Sequence, residues 1–317
     1  MAQSTLPNIS PRTGPVAPTR SAGVALLLSL RPSQWTKNLI VFAGLIFGQR
    51  LLDVHAVLQA CAAFAIFCGL SGVVYLINDV ADREADRRHP IKRLRPIASG
   101  EISPATAVAT ALTILIVALI GAWLLGPRFA GVAMAYVALI ALYSGPLKHV
   151  VIIDVLTIAV GFVLRAVAGA VVLDVEIGHW LLIVTLLLAL FLALSKRRHE
   201  LVLLGEGATN HRRILQEYSP YLLDQMISMV TASTLVAYAF STISPEVIAK
   251  FGTDRLGLTF PFPLYGIFRY LYLVHQKEGG GSPSDMLLND RPLLACVALW
   301  AAAVVLIIYG PEQILRW

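Results

Sequence analysis

The segment best suited to chemistry is 78–86, NDVADREAD, which ends a long apolar run and opens the most charged part of the chain. Asp79, Asp82 and Asp86 are three and four residues apart, so a helix with 3.6 residues per turn would place their carboxylates on one face. Oxygen ligands of this kind suit Mg²⁺, which usually completes its shell with water and substrate phosphates. We therefore predict a Mg²⁺ site formed by Asp79, Asp82 and Asp86 together with Asn78; the alternative is a solvated loop that caps a membrane helix.

Composition predicts a membrane protein that crosses the bilayer many times. Of the 317 residues, 57% are hydrophobic and only 14% are charged, and the mean hydropathy is +0.74, which is too apolar for a soluble domain. Cys61, Cys68 and Cys296 lie in apolar runs, so they are expected to be buried side chains rather than disulfide partners or metal ligands. Residues 1–20, rich in Pro, Ser and Thr, predict a disordered tail before one transmembrane domain at 21–317.

Apolar runs long enough to cross a bilayer core of about 30 Å predict an all-α fold with nine transmembrane helices. The predicted spans are 33–50, 54–78, 104–125, 129–146, 150–172, 178–195, 221–243, 261–276 and 292–310. Most lysines and arginines outside the spans lie before 33–50 or in the segments 79–103 and 196–220. Because positive residues are retained on the cytoplasmic side, this distribution predicts an N-in, C-out topology, with the carboxylates at the cytoplasmic face of the plasma membrane.

Cations follow the carboxylates directly, within the first long cytoplasmic segment. A Mg²⁺–diphosphate needs carboxylates for the metal, and Lys or Arg side chains for the remaining phosphate oxygens. We therefore expect a substrate-binding role for Arg83, Arg88, Lys92 and Arg95. Basic loops also hold the topology and bind anionic lipid head groups, which is the alternative explanation for these four residues.

The start of the first predicted span is also polar. Gln34, Lys37 and Asn38 stand at positions i, i+3 and i+4, which is one face of an α-helix. A polar face at the start of a membrane helix points into the protein more often than into lipid. We therefore expect Gln34, Lys37 and Asn38 to face the site, although Lys37 alone could simply extend to the membrane surface.

Polar residues also flank the junction between the fourth and fifth predicted spans. Tyr143 and Lys148 lie at the end of the fourth span, and Asp154 lies inside the start of the fifth. We expect Tyr143 and Asp154 to contribute to substrate binding. An acid in this position needs a partner, for which Lys148 and the metal cluster are the candidates. Arg165 lies about 22 Å along the same helix, a depth that favours a structural ion pair or a contact with a lipid tunnel over chemistry.

Segment 195–200, SKRRHE, places consecutive basic or titratable residues at the end of the sixth predicted span. The residues concerned are Lys196, Arg197, Arg198 and His199. They could serve only to anchor the topology. Opposite an acidic Mg²⁺ site they would form an anion receptor, which is the interpretation we favour.

Long motifs in this chain resemble the UbiA superfamily of intramembrane prenyltransferases. The motifs are RPSQWTKN, NDVADREADRRHPIKRLRPIASG, YSGPLKH, GFVLRAVAG and LSKRRHEL. The resemblance implies a nine-helix bundle around a cytoplasm-facing cavity that opens sideways to lipid, with Mg²⁺ gripping a diphosphate. Ordinary members carry a second aspartate-rich motif after the sixth span, whereas this chain has SKRRHEL there.

Within that superfamily, the motifs are most similar to enzymes that transfer 5-phosphoribose from 5-phosphoribosyl 1-diphosphate to decaprenyl phosphate, a polyprenyl phosphate, in cell-wall arabinan precursor synthesis. The resemblance implies Mg²⁺ as cofactor, membrane lipids and no nucleic acid as further partners, and either a monomer or a homo-oligomer. It implies catalytic roles for Asp79, Asp82, Asp86, Lys37 and Lys148.

Two other functions remain open. A prenyltransferase acting on an aromatic acceptor would carry a second aspartate motif. A lipid transporter would place polar groups near the bilayer midplane.

Overall fold

The computed structural model describes residues 20–89, 92–204, 213–277 and 281–310, and every regular element in these ranges is helical. The predicted tail at 1–20 lies outside the described residues except for Arg20. The α-helices are α1 (Ala22–Ser29), α2 (Ala43–Phe47), α3 (Val54–Ala81), α4 (Arg83–Arg88), α5 (Pro96–Ser99), α6 (Pro104–Leu125), α7 (Pro127–Ser144), α8 (Ile153–Val171), α9 (His179–Leu204), α10 (Pro220–Ile243), α11 (Pro245–Phe251), α12 (Pro261–Gln276), α13 (Pro283–Asn289) and α14 (Arg291–Tyr309). The 3₁₀ segments are Pro32–Phe42, Lys92–Leu94, Leu147–His149, Arg213–Glu217 and Arg255–Thr259.

Local sequence explains where the long helices begin. Ser103 caps α6 by accepting a hydrogen bond from the backbone of Thr106 at 3.0 Å. Ser219 caps α10 in the same way, and Asp290 caps α14. Proline in the first turn of these helices has no N–H that would need a partner there. The capping residue and the first-turn proline together fix where each of these apolar helices begins.

Seven helices among the described residues are long and apolar enough to cross a membrane: α3, α6, α7, α8, α9, α10 and α14. They coincide with seven of the predicted spans, mostly to within one helical turn. The chain is therefore an all-helical, multi-pass membrane protein. The predicted spans 33–50 and 261–276 are different: the first contains a 3₁₀ segment followed by α2, and the second is the shorter helix α12.

Helix α9 extends beyond its predicted end. The sixth span was predicted to stop at 195, but α9 continues through SKRRHE to Leu204. Lys, Arg and Glu are good helix formers, so a charged segment can prolong an apolar helix past the hydrocarbon region. Successive residues of SKRRHE consequently point in different directions, about 100° apart around the helix axis.

The 3₁₀ segment Pro32–Phe42 corrects the predicted helix face. With three residues per turn, residues i and i+3 eclipse each other, so Gln34 and Lys37 share one side. Asn38 is turned away and is fully buried against the core, with no exposed surface. The three residues therefore do not line one surface, because the prediction used the α-helical period.

Glycines allow the broken helix formed by Pro32–Phe42 and α2 to contact α8 backbone to backbone. A Cβ atom on Gly169 would lie 1.9 Å from the carbonyl oxygen of Val41, and one on Gly44 would lie 2.4 Å from the oxygen of Gly169. Any side chain at either position would push the two segments apart. This close packing positions Lys37 and Asn38 relative to α8.

Candidate active site

Two buried carboxylates form the centre of the site. Asp79 lies in the last turn of α3 and Asp86 lies in α4, and each residue is only 3% exposed. One nitrogen of Arg95, Nη1, donates to Asp79 Oδ1 at 3.0 Å and to Asp86 Oδ2 at 2.6 Å. Because both carboxylates contact the same nitrogen, Arg95 holds them side by side. The structure therefore brings together three of the predicted site residues, Asp79, Asp86 and Arg95, with Arg95 paired to the two carboxylates.

Asp82 and Asn78 are arranged differently. Asp82 ends α3 and begins α4, with φ −90° and ψ 5°, and its side chain is exposed. Asn78 is half-buried. In the part of the chain that the structure describes, no three His, Cys, Asp or Glu side chains are grouped closely enough to hold a metal. The predicted three-carboxylate face is thus interrupted, because the helix breaks at Asp82.

The donor set nevertheless fits Mg²⁺. It offers two buried carboxylates joined through one guanidinium nitrogen, with the amide oxygen of Asn78 and the carboxylate of Asp82 nearby in sequence. Such hard oxygen donors suit a small divalent cation. Asp79 and Asp86, with Asn78 and Asp82, are the residues that would hold it.

Arg31 is a site residue that the sequence interpretation missed. Its Nη2 donates to Asp79 Oδ1 at 2.5 Å, and its guanidinium carbon lies 4.6 Å from the ring centroid of Tyr75. The backbone of Arg31 has φ 53°, a left-handed conformation that is uncommon for residues other than glycine. Such strain is typical of functional sites. The sequence feature that could have identified Arg31 is its position as a lone arginine between the apolar run 22–30 and Pro32.

Other arginines of the segment 79–103 have structural contacts. Arg83 Nε donates to the carbonyl of Ile97 at 3.3 Å, and Arg87 Nε donates to that of Ala98 at 3.1 Å. These bonds satisfy carbonyls of the short helix α5. Arg83 is thus bound to the backbone rather than aimed at the carboxylate pair. Arg88 is exposed and Lys92 is half-buried.

A group of cations surrounds Lys37. Arg31, Arg165 and Lys196 lie close enough to Lys37 to act on its charge, and Asp285 is the acid that opposes them. The contributing segments are the 3₁₀ segment, α8, α9 and α13. Lys196 is also 3.8 Å from Glu200 within α9. Positive charge that converges from several elements favours an anionic ligand.

Arg165 is buried among neutral groups. Its Nε donates to Asn38 Oδ1 at 2.7 Å, its Nη2 donates to the Tyr136 hydroxyl at 2.6 Å, and its Nη1 donates to the Gly161 carbonyl at 2.8 Å. The rings of Tyr136 and Phe162 also face its guanidinium. Across the described ranges it has no carboxylate partner, so the structural ion pair considered for Arg165 is not observed.

Asp154 has a partner that the sequence interpretation did not identify. Arg197 Nε donates to Asp154 Oδ2 at 2.8 Å, and the Tyr218 hydroxyl donates to Asp154 Oδ1 at 2.8 Å. Neither Lys148 nor the metal cluster fills this role. Burial and the adjacent Asp154 carboxylate raise the pKa of Tyr218 to about 12. Both Asp154 and Arg197 are inaccessible, at 0% and 1% exposure.

The basic segment of α9 is therefore divided among three surroundings. Arg197 is held in the core and also donates to the Tyr143 hydroxyl at 3.1 Å and to Glu200 at 2.7 Å. Arg198 pairs with Asp224 on α10. Lys196 lies within electrostatic range of Lys37 and is 3.8 Å from Glu200. The predicted receptor of consecutive residues does not form as one cluster, because a helix separates their directions.

Two further predicted residues, Lys148 and His199, are half-buried. Lys148 is half-buried in the 3₁₀ segment Leu147–His149. His199 is half-buried on α9, and its Nε2 lies 3.1 Å from the position that a Cβ of Gly281 would occupy. His199 thus marks the approach of the segment before α13 to the end of α9.

An apolar cavity of about 560 Å³ lies beside Lys37. The 3₁₀ segment, α2, α9, α10, α12 and α14 enclose it, and its lining on α9 runs from Trp180 to Leu192, about 18 Å of helix. Lys37 lines the end nearest Lys196. At the other end, the Lys250 ammonium donates to the backbone carbonyl of Glu176 at 3.2 Å. The arrangement can hold a long hydrocarbon chain whose charged head meets Lys37.

Comparison with known proteins identifies the family of the chain. Residues 38–289 match the model of the UbiA prenyltransferase family. Decaprenyl-phosphate phosphoribosyltransferase of Corynebacterium glutamicum is 32% identical over 92% of this chain and 89% of its own. The protein of the same name from Mycobacterium tuberculosis is 30% identical over 90% of this chain and 95% of its own.

A solved structure has the same fold. The structure of a UbiA homolog from Archaeoglobus fulgidus bound to GPP and Mg²⁺ has a TM-score of 0.68 and 19% identity, covering 90% of this chain and 99% of that chain. The family match extends over most of the sequence, and the relatives align along nearly their whole length. The chain belongs to the UbiA prenyltransferase family.

Proposed function

We propose that this protein transfers 5-phosphoribose from 5-phosphoribosyl 1-diphosphate to a polyprenyl phosphate such as decaprenyl phosphate, releasing diphosphate, as a step of arabinan precursor synthesis. The observation that carries the proposal is a pair of neighbouring subsites. One is the carboxylate pair with Arg31 and Arg95, and the other is the cation group around Lys37 at the mouth of the apolar cavity. The names of the relatives support the choice of substrates.

The first subsite suits the diphosphate of the donor. Mg²⁺ bound by Asp79 and Asp86, with Asn78 and Asp82, would neutralise charge on the leaving diphosphate. Arg31 and Arg95, which donate to these carboxylates, have further N–H groups for phosphate oxygens. Their positive charge stabilises the leaving group as the C1–O bond breaks with oxocarbenium character.

The second subsite suits the phosphate of the lipid. Lys37 lines the cavity, and Lys196 lies within electrostatic range of it. The apolar walls would take up the start of the prenyl chain, and the ammonium groups would hold the head group. A phosphate monoester is already anionic at neutral pH, so its oxygen attacks C1 without a strong general base. The main contribution of these cations is to bring two anionic substrates together.

The proposed topology has nine crossings, with the N-terminus inside and the C-terminus outside. The broken helix formed by the 3₁₀ segment and α2 would be the first crossing, and α12 would be the eighth. In this arrangement the ends of α3, α7 and α9 and the starts of α8, α10 and α14 meet at the cytoplasmic face of the plasma membrane. The basic residues on these ends support that orientation, with residues 21–317 forming one catalytic domain.

The direct test of the proposal is a transfer assay with purified protein in lipid nanodiscs. The donor is 5-phosphoribosyl 1-diphosphate labelled in the ribose, and the acceptor is decaprenyl phosphate with Mg²⁺. We expect the label to move into the organic-extractable lipid, with release of one diphosphate per transfer, and EDTA to stop the reaction. Transfer only from a prenyl diphosphate to an aromatic acceptor would establish the alternative enzyme, and no transfer with either pair would favour a lipid transporter.

Lys37→Met should separate the two subsites. We expect the KM for polyprenyl phosphate to rise about 10- to 100-fold, because a charge-assisted contact to the head group is lost. The KM for the ribosyl donor should change much less. Lys250→Met is the matched control, since Lys250 lines the opposite end of the same cavity. An equal rise for both substrates would assign Lys37 to the donor subsite instead.

A further inference from the structure

A closed ring of hydrogen bonds surrounds Arg165 in the interior of the helical bundle. Arg165 Nη2 donates to the Tyr136 hydroxyl at 2.6 Å, and its Nε donates to Asn38 Oδ1 at 2.7 Å. The Ser71 hydroxyl lies 3.2 Å from the Tyr136 hydroxyl and donates to the same Asn38 oxygen at 3.5 Å. The four side chains come from α8, α7, α3 and the 3₁₀ segment Pro32–Phe42, and none is more than 7% exposed.

The hydrogen-bond directions in this ring are fixed by the number of protons available. Ser71 has one hydroxyl proton and donates it to Asn38, so the Tyr136 hydroxyl is the donor to Ser71. The Asn38 amide nitrogen donates to Cys68 Sγ at 3.3 Å. A buried network in which every member has a partner is rigid and specifies one arrangement. The ring therefore fixes the orientation of the Asn38 side chain.

The motif at 161–169, GFVLRAVAG, attaches the 3₁₀ segment to α8 at two points. Arg165 and Gly169 are four residues apart, so they lie on one face of α8. Arg165 bonds to Asn38, and Gly169 meets the backbone of Val41, which lies one 3₁₀ turn after Asn38. One face of α8 thus holds two successive turns of the segment, once by hydrogen bonding and once by close packing.

The direction of Lys37 depends on how Asn38 is held, because the two residues are adjacent in the 3₁₀ segment. Successive residues of a 3₁₀ helix point about 120° apart. With Asn38 buried against α8, Lys37 lies on another side of the segment, where it lines the apolar cavity. The lysine side chain is itself flexible. A fixed backbone is therefore what limits the positions that its ammonium group can reach.

Fold stability alone does not explain a charged residue at the position of Arg165. Its hydrogen-bond partners are neutral, and a buried charge without a counter-charge is costly, most of all in a membrane interior. Ionisable residues retained at such depths usually serve function. Arg165 is not one of the residues that line the cavity. Its contribution to binding therefore passes through the residues that it holds.

We propose that Arg165 is a positioning residue for the lipid acceptor, an assignment that rests on the proposed function. Through its ring with Tyr136, Ser71 and Asn38, it fixes the Lys37 ammonium group where the phosphate of the prenyl chain binds. Breaking the ring then weakens the binding of a prenyl monophosphate only when Lys37 is present.

A double-mutant cycle tests this dependence on Lys37. Tyr136→Phe breaks the ring but keeps the charge of Arg165 and an aromatic ring beside it. Binding of farnesyl phosphate, a short prenyl monophosphate, is measured from its effect on the melting temperature of the full-length protein in nanodiscs. We expect Tyr136→Phe to weaken binding about 3- to 10-fold, the usual contribution of one hydrogen bond. In the Lys37→Met background, the same change should have no further effect.

Controls show whether the loss is local. Inorganic diphosphate with Mg²⁺ should bind to Tyr136→Phe as it does to the wild type, which also shows that the variant is folded. Tyr309→Phe is the matched control, because its hydroxyl bonds to the backbone of Leu51 and Ile46 at the other end of the broken helix. It should bind farnesyl phosphate like the wild type. Ser71→Ala breaks the ring at another point, leaves the bonds of Arg165 in place and should reproduce the loss.

The remaining outcomes separate this role from the proposed function. Unchanged binding in both Tyr136→Phe and Ser71→Ala, or an equal loss with and without Lys37, overturns the positioning role of Arg165. A wild type that transfers phosphoribose but binds farnesyl phosphate no better than Lys37→Met also overturns it and leaves the proposed function intact. A wild type that shows the expected coupling but transfers no phosphoribose to decaprenyl phosphate overturns the proposed function, and the ring then supports prenyl phosphate binding alone.

Discussion

Asp79→Asn is expected to lower the rate of transfer by about 10²- to 10³-fold, the usual effect of removing one group that stabilises charge in a transition state. Asp79 is 3% exposed, and one of its oxygens accepts from both Arg31 and Arg95. The amide keeps the shape of the side chain but loses the charge, so the proposed metal loses one of its two buried carboxylate ligands. The two arginines also lose the group that orients them. The loss should fall mainly on kcat, with a higher Mg²⁺ requirement.

The measurement is the transfer assay at increasing Mg²⁺ concentration, together with the melting temperature of each variant. Glu84→Gln is the matched control, because Glu84 is exposed in the same segment and, within the described ranges, pairs with Arg83 and Arg87 beside it. The activity of this variant should stay close to that of the wild type. Asp82→Asn reports on the exposed carboxylate as a proposed ligand. If Asp79→Asn retained normal activity and the normal Mg²⁺ dependence, the metal assignment would be lost.

Much of the fold follows from the sequence because bilayer crossing imposes a length on apolar runs. The helices α6 and α10 begin at prolines preceded by capping serines, and their predicted bounds agree with the structure to within one residue at each end. Local periodicity and local capping were sufficient for these two helices. The sequence places Asp79 and Asp86 seven residues apart, close to two helical turns, but in the structure the helix breaks between them at Asp82 and Arg95 contacts both carboxylates.

The broken helix formed by Pro32–Phe42 and α2 could not be predicted in this way. Apolar composition at 33–50 is compatible with both an α-helix and a 3₁₀ helix, and the 3₁₀ period turns Asn38 farther from Gln34 and Lys37 than the α-helical period does. The choice depends on a tertiary contact, the close approach of Gly44 and Gly169. Asn38 then meets Arg165 rather than a substrate. A single sequence contains the glycines but does not reveal which backbone they face.

The predicted anion receptor at 195–200 does not form as one cluster, for a related reason. Reading Lys196, Arg197 and Arg198 as one receptor assumed a loop whose side chains could converge. In a helix they diverge, and each meets a different element. Asp154 on α8 had been recognised as an acid in need of a partner, but pairing it with Arg197 requires knowing that α8 and α9 pack together.

Arg197→Met is expected to destabilise the protein by about 3–5 kcal/mol, because it leaves a buried carboxylate without its partner. Arg197 and Asp154 are 1% and 0% exposed, and the guanidinium also bonds Glu200 and Tyr143. Arg198→Met is the matched control one residue away. Arg198 pairs with Asp224, which is 41% exposed, and surface pairs of this kind contribute about 0–1 kcal/mol. Equilibrium unfolding in detergent should therefore separate the two neighbours clearly.

The double variant Arg197→Met/Asp154→Leu distinguishes a structural pair from a substrate contact. Removing both charges also removes the unpaired carboxylate, so we expect the double variant to be more stable than Arg197→Met alone, with a non-additive coupling. If Arg197 only supports the fold, the refolded double variant should keep the wild-type KM for both substrates. A raised KM for either substrate, with stability restored, would return Arg197 to the anion receptor that the sequence suggested. Stability and substrate affinity must be measured together, because a change in only one of them is compatible with both a structural role and a substrate contact.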